Sequence, residues 1–117
     1  MNKAEFLLRT KKFGLRIIRL VMSLPRDRVA NVIGNQLLRA GTSVGANYRS
    51  AVRGKSRADF ISKMGTVEEE CDESLYWIEM LIESGLLKPK LASALMIEGE
   101  EILAMVVASI RTARRSK

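Results

Sequence analysis

From Val29 to Ala51 an apolar side chain returns every three or four residues, at Val29, Ile33, Leu37, Ala40, Val44, Tyr48 and Ala51. At about 100° per residue all seven fall on one side of a helix. A long amphipathic helix is therefore predicted over about 28–53. Its period runs unbroken through GTSVGANYR, residues 41–49, whose two glycines, two hydroxyls and arginine are also the ingredients of a phosphate-gripping loop. Such a loop would break helical phase. The motifs G-x-x-x-x-G-K-[ST] and G-x-G-x-x-G are absent, and no predicted strand precedes the stretch. Gly34, Gly41 and Gly45 instead lie within about 40° of one another, a strip of bare backbone that another helix can approach closely. Each interior glycine costs about 0.8–1 kcal/mol relative to alanine, which close packing offsets. The outer side, with Arg28, Arg39, Arg49, Arg53, Asn31, Asn35 and Thr42, is polar and basic.

Three more segments carry the same period. The first, about 4–24, stops at Pro25 and has a core face of Phe6, Phe13, Ile17, Leu20 and Leu24. Leu8, Leu15 and Met22 form a second apolar stripe nearly opposite, which a lone bundle does not need and a subunit interface does. The remaining sector holds Arg9, Lys12, Arg16 and Arg19, a basic strip predicted to face solvent. The third helix, about 57–84, opens at Ser56 with Asp59 three residues on. Its core face reads Phe60, Met64, Val67, Cys71, Leu75, Ile78 and Ile82, and Gly85 suits its end. The fourth, about 89–114, starts with Pro89 in its first turn and turns Leu91, Leu95, Ile102, Met105, Val106 and Ser109 inward. Glu98 is also read as inward, and burying a lone carboxylate is costly, so a partner such as an Arg, Ser43 or Asn47 is expected.

The connections are short, so consecutive helices should run antiparallel, giving an all-α, up-down-up-down four-helix bundle as one domain over residues 1–117. In that register Arg39 lies level with about Asp72, and Ser43 with Glu68. Residues 1–57 carry 13 Lys or Arg against Glu5 and Asp27, residues 58–110 carry 3 against 11 acidic, and the tail adds Arg111, Arg114, Arg115 and Lys117. This split fits either an anion-binding face or basic and acidic helices that attract one another.

Catalytic and metal chemistry find little material. The chain has no histidine and one cysteine, Cys71, which falls among core positions, so zinc sites lack ligands and a disulfide lacks a partner. The acidic run EEECDE, residues 68–73, fans around its helix, and the Glu-x-x-His of di-iron bundles is missing. No cofactor is expected. Charges interrupt the N-terminal MNKAEFLLRTKKFG before a signal-like core forms. The longest uncharged run, VANVIGNQLL, is about half a membrane span. A cytoplasmic protein without membrane association is expected.

Residues 36–85, QLLRAGTSVGANYRSAVRGKSRADFISKMGTVEEECDESLYWIEMLIESG, resemble the centre of the four-helix-bundle proteins encoded by intervening sequences in bacterial 23S rRNA genes and by chromosomal relatives. The shared features are Gln36, Leu37, Arg39, Ser43, Asn47, Arg53, Ser56, Asp59, Phe60, Glu69, Glu73, Ser74 and Leu75. Where many relatives read N-I-A-E-G this chain has Asn47-Tyr48-Arg49-Ser50-Ala51, so Arg49 stands near the turn where the family carries an acid. The resemblance implies a ring-shaped homopentamer without catalytic activity, and association with nucleic acid.

Two functions follow as expectations. One is a non-enzymatic oligomer binding RNA or another polyanion through Arg9, Lys12, Arg16 and Arg19, through Arg49, Arg53, Lys55 and Arg57 at the turn, and through Arg111, Arg114, Arg115 and Lys117. No aromatic platform interleaves these groups, so binding would follow backbone charge rather than base identity. The other is an adaptor or accessory subunit docking a partner enzyme such as a nucleic-acid polymerase. In that reading Tyr76, Trp77 and Met80 are anchors, or they lie with Leu8, Leu15 and Met22 in the subunit interface. An enzyme is disfavoured, because a lone buried thiol or carboxylates would work with no histidine to assist.

Overall fold

The computed structural model describes residues 1–116, in which four helices form: α1, Lys3–Met22; α2, Arg28–Val52; α3, Arg57–Glu83; and α4, Pro89–Arg115. Local chemistry fixes their ends. The Asn2 side chain accepts the Glu5 N–H at 2.8 Å, Asp27 accepts those of Val29 and Ala30, and Ser56 accepts that of Asp59 at 3.0 Å. Each satisfies donors that a first helical turn leaves orphaned. At the end of α3, Gly85 takes φ +83°, which lets the Leu86 N–H reach Leu81 O and the Gly85 N–H reach Ile82 O, both at 3.0 Å. This closes the helix in a Schellman turn. α1 ends two residues before the predicted Leu24, with the Ser23 N–H already bonded back to Arg19 O and Leu20 O.

Successive helices pack side by side, α1 on α2, α2 on α3 and α3 on α4, while α1 and α4 close the bundle through the loosest seam. α1 and α3 occupy diagonal corners of a rod 50 × 21 × 20 Å. Phe13, Ile17, Leu37, Val44, Met64, Val67, Cys71, Ile78, Ile102 and Val106 are fully enclosed at its centre. Of the other predicted core positions, Leu24, Ile33, Phe60, Ile82, Met105 and Ser109 are half-buried, and two are exposed. Val29 is 53% exposed and Ala30 takes its place, because four-residue steps back from Leu37 overshoot a turn by about 40° each and carry Val29 off the stripe. Leu91 is 65% exposed. Leu95, Gly99, Ile102, Val106 and Ile110 set the centre of the α4 stripe, leaving Leu91 about 60° away with Ala92 nearer on the other side.

The glycine strip of α2 meets α1. A Cβ on Gly41 would sit 2.6 Å from Ile17 Cγ1, one on Gly45 would sit 3.2 Å from the Thr10 carbonyl oxygen, and one on Gly34 3.2 Å from Leu24 Cδ1. GTSVGANYR is thus helical throughout, and its bare side is where the α1 backbone and Ile17 fit. Gly99 of α4 does similar work unforeseen in the sequence, since a Cβ there would sit 2.6 Å from Leu75 Cδ2 and 3.2 Å from the Phe13 ring.

Candidate polyanion-binding surface

The antiparallel order brings the start of α1, the end of α2, the start of α3 and the end of α4 to one end of the rod. The Phe6 ring stands edge-on to that of Tyr48, centroids 4.7 Å apart, and Lys3, Phe6, Tyr48, Phe60, Met105 and Ser109 surround a shared cavity of about 180 Å³. Two clusters some sixty residues apart in the chain therefore converge. Arg49, Arg53, Lys55 and Arg57 come from the α2–α3 turn, and Arg111, Arg114 and Arg115 from the last turns of α4. All seven are exposed, and among the described residues none forms a salt bridge. Lys117 lies outside the described residues. Arg49, Arg114 and Arg115 sit in the last turns of their helices, where cations complement the C-terminal dipole. That local role uses part of their charge and leaves their head groups in solvent.

The basic strip of α1 divides differently from expectation. Lys12 and Arg19 are exposed and Arg16 is half-buried. Arg9 is not a solvent-facing cation, because its guanidinium lies across the α1–α4 seam. Its Nε meets Glu98 Oε2 at 2.7 Å, Nη2 donates to Glu98 Oε1 at 2.8 Å and to Glu101 Oε1 at 2.6 Å, and Nη1 approaches Met105 Sδ at 3.3 Å. Such a bidentate, charge-assisted pair is directional and short. It answers the expectation for Glu98, whose partner is Arg9. Glu98 itself stands on the flank of α4 rather than inside, its side chain 21% exposed. Hydrogen bonding to Arg9 holds its carboxyl below the usual carboxylate range, with burial opposing and the charges of Arg9 and Arg16 assisting. Ser43 and Asn47 stay on their own helix, donating to Arg39 O at 2.6 Å and Ser43 O at 2.8 Å. Glu68 instead lines a shallow acidic cleft with Glu69 and Asp72, next to Leu103 and Val107 of α4.

Basic and acidic halves do meet across α2 and α3, where Arg39 binds Glu70 at 3.2 Å and also Glu73. The pairing falls on either side of Asp72, the residue predicted to be level with it. Cys71 is fully buried, with Sγ 3.4 Å from Gly99 O, and desolvation with the nearby Asp72 charge pushes its thiol up to about 12. It is a core residue and not a thiolate. Among the described residues no three metal-ligating side chains converge, and no helix is long and apolar enough to cross a membrane.

The second stripe of α1 stays bare. Leu8, Leu15 and Met22 are 52%, 42% and 80% exposed. Leu8 and Leu15 border an open groove of about 650 Å³ between α1 and α2, rimmed by Lys11, Arg49 and Arg53. Trp77 does not share that surface. It lies on α3, half-buried against the core, its Nε1 enclosed without an acceptor and its ring edge-on to Tyr76 at 5.0 Å. The four predicted interface residues thus occupy two separate sides of the bundle.

Comparison with known proteins follows the same outline. A family model described as 23S rRNA-intervening sequence protein matches residues 2–108. The chain is similar to a crystal structure from Bacteroides thetaiotaomicron VPI-5482, described as a protein with unknown function from the S23 ribosomal protein family. The two share 32% identity at a TM-score of 0.88, over 95% of this chain and 99% of that one. No curated protein matches.

Proposed function

The chain belongs to the 23S rRNA-intervening sequence protein family, and from that premise we propose that it is a non-enzymatic, cytoplasmic oligomer that binds RNA or another polyanion at the basic end of its bundle. The observation that carries this reading is the convergence of Arg49, Arg53, Lys55, Arg57, Arg111, Arg114 and Arg115, exposed and without a salt bridge among the described residues, at one end of a narrow rod. Like charges held together cost repulsion that a polyanion relieves, and each phosphate neutralised releases counterions. Phe6 and Tyr48 near that end are enclosed, so contact with phosphates rather than stacking on bases is the mode that fits. Arg9 and Arg39 are held by carboxylates and stay outside the proposed site. The resemblance to the family adds a five-membered ring, in which every copy offers its basic end at an equivalent position and the charge is multiplied. The absence of histidine and the high thiol pKa of Cys71 argue against catalysis.

A salt titration of binding to single-stranded and structured RNA tests the reading. Affinity should fall linearly in log–log form with salt, and reversing Arg111, Arg114 and Arg115 to Glu should flatten that slope. No binding at low salt would overturn it. An adaptor role is the second reading, supported by the exposure of Tyr76 (51%) and Met80 (38%) on α3. Loss of a captured partner by Tyr76→Ala, with assembly unchanged, would favour it.

A further inference from the structure

The groove between α1 and α2 and the outer face of α3 have opposite chemistry and lie on different sides of the rod. The groove has a floor of small residues, Gly14, Gly45 and Ala46, apolar walls that include Leu8, Leu15 and Ile18, and a rim of Lys11, Arg49 and Arg53. On α3, Glu69, Asp72, Tyr76, Glu79, Met80 and Glu83 are all exposed, and at about 100° per residue they fall within one 100° sector. That sector is an acidic ridge with two apolar knobs.

We infer that the occupant of the α1–α2 groove is the α3 ridge of a second copy of this chain. Tyr76 and Met80 enter between Leu8 and Leu15, while the flanking carboxylates meet Lys11, Arg49 and Arg53, which leaves Lys55, Arg57, Arg111, Arg114 and Arg115 as the free basic end of the assembled copies. A groove between two helices accepts a third helix side-on, and at its floor the exposed Ala46 presents only a methyl group. Charge complementarity selects the partner. A second groove would bring like charges together, whereas the ridge brings opposite ones and disfavours other orientations. Because α1 and α3 are diagonal corners, one copy can use both surfaces at once. The contact is therefore heterologous and repeats until rotation closes it. This inference rests on the oligomeric part of the proposed function and says which surfaces make the assembly.

Two double variants of the full chain test it, Leu8→Glu/Leu15→Glu in the groove and Tyr76→Lys/Met80→Lys on the ridge. All four side chains are at least partly exposed, and circular dichroism and melting verify that each variant folds. Size-exclusion chromatography with light scattering should show an assembled wild type and monomeric variants. An equimolar mixture should give a one-to-one dimer, since one intact groove then meets one intact ridge. A ridge variant that assembles like the wild type, a mixture that stays monomeric, or a wild type that is monomeric at about 100 μM would each overturn it. RNA binding by the folded ridge variant reads the polyanion proposal separately, because its substitutions on α3 leave the basic end at the α2–α3 turn and the end of α4 unaltered.

Discussion

α1 meets its two neighbours by opposite means. Against α2 it packs backbone to backbone, with Ile17 seated on Gly41 and the Thr10 carbonyl over Gly45, and among the described residues no salt bridge crosses that interface. Against α4 there is little packing, and one arginine reaches across to two glutamates and a methionine. Small residues and dispersion hold the first seam and directed charge holds the second. A close-packed seam tolerates no added atoms. A charged latch tolerates them, but depends on protonation and on a single side chain.

Gly41→Val probes the packed seam. Its Cβ would fall within 3.0 Å of three Ile17 carbons, and Ile17 has no exposed surface into which to move. A loss of about 3 kcal/mol is expected from overpacking, seen as a lower urea midpoint at similar m. A melt like the wild type would show that the two helices are not in register as described. Arg9→Ala opens the latch and leaves Glu98 partly enclosed without its partner. With both side chains about a fifth exposed, roughly 1–2 kcal/mol should be lost, and hydrogen exchange should rise first along the α1–α4 seam. Equal protection on all helices would count against a local latch.

Gly14→Ala should differ in sign from Gly41→Val although both positions lie at the same crossing. A Cβ on Gly14 would rest 3.6 Å from Gly41 O and Thr42 Cα, ordinary contact, so helix propensity decides and about 0.5–1 kcal/mol is gained. Destabilisation there would mean that the whole crossing, rather than the Ile17 site, is at its closest approach. A finer effect lies in pH. The Glu98 carboxyl is lowered in the fold relative to the unfolded chain, so its contribution is fully present above about pH 4.3 and is lost as pH falls through the folded value. Glu98→Gln should flatten that part of the acid limb in urea titrations at successive pH values, while Gly41→Val should leave its shape unchanged.

The packed seam was legible from residue order because glycines repeated in phase with an apolar stripe declare a close approach before any partner is known. The latch was not. Arg9 sits in phase with Lys12, Arg16 and Arg19, and periodicity alone assigns all four to solvent. Only the rotation of α4, which sets Glu98 on its flank one turn from Glu101, converts one of them into a clasp. Gly99 went unnoticed for a related reason, since a lone glycine has no phase to read and its role appears only when the Phe13 ring lies over it.

By itself the sequence determined four helices, their order, their caps and the side each turns inward, because these depend on contacts within a few residues and on a period of 3.6. Tertiary structure decided which charges are spent on one another and which remain. It joined the α2–α3 turn to the end of α4 in one basic pole, tied Arg9 and Arg39 to carboxylates, and put the bare stripe of α1 and the acidic ridge of α3 on different sides. Those outcomes depend on how helices are rotated and stacked, a relation between distant segments that no local pattern contains.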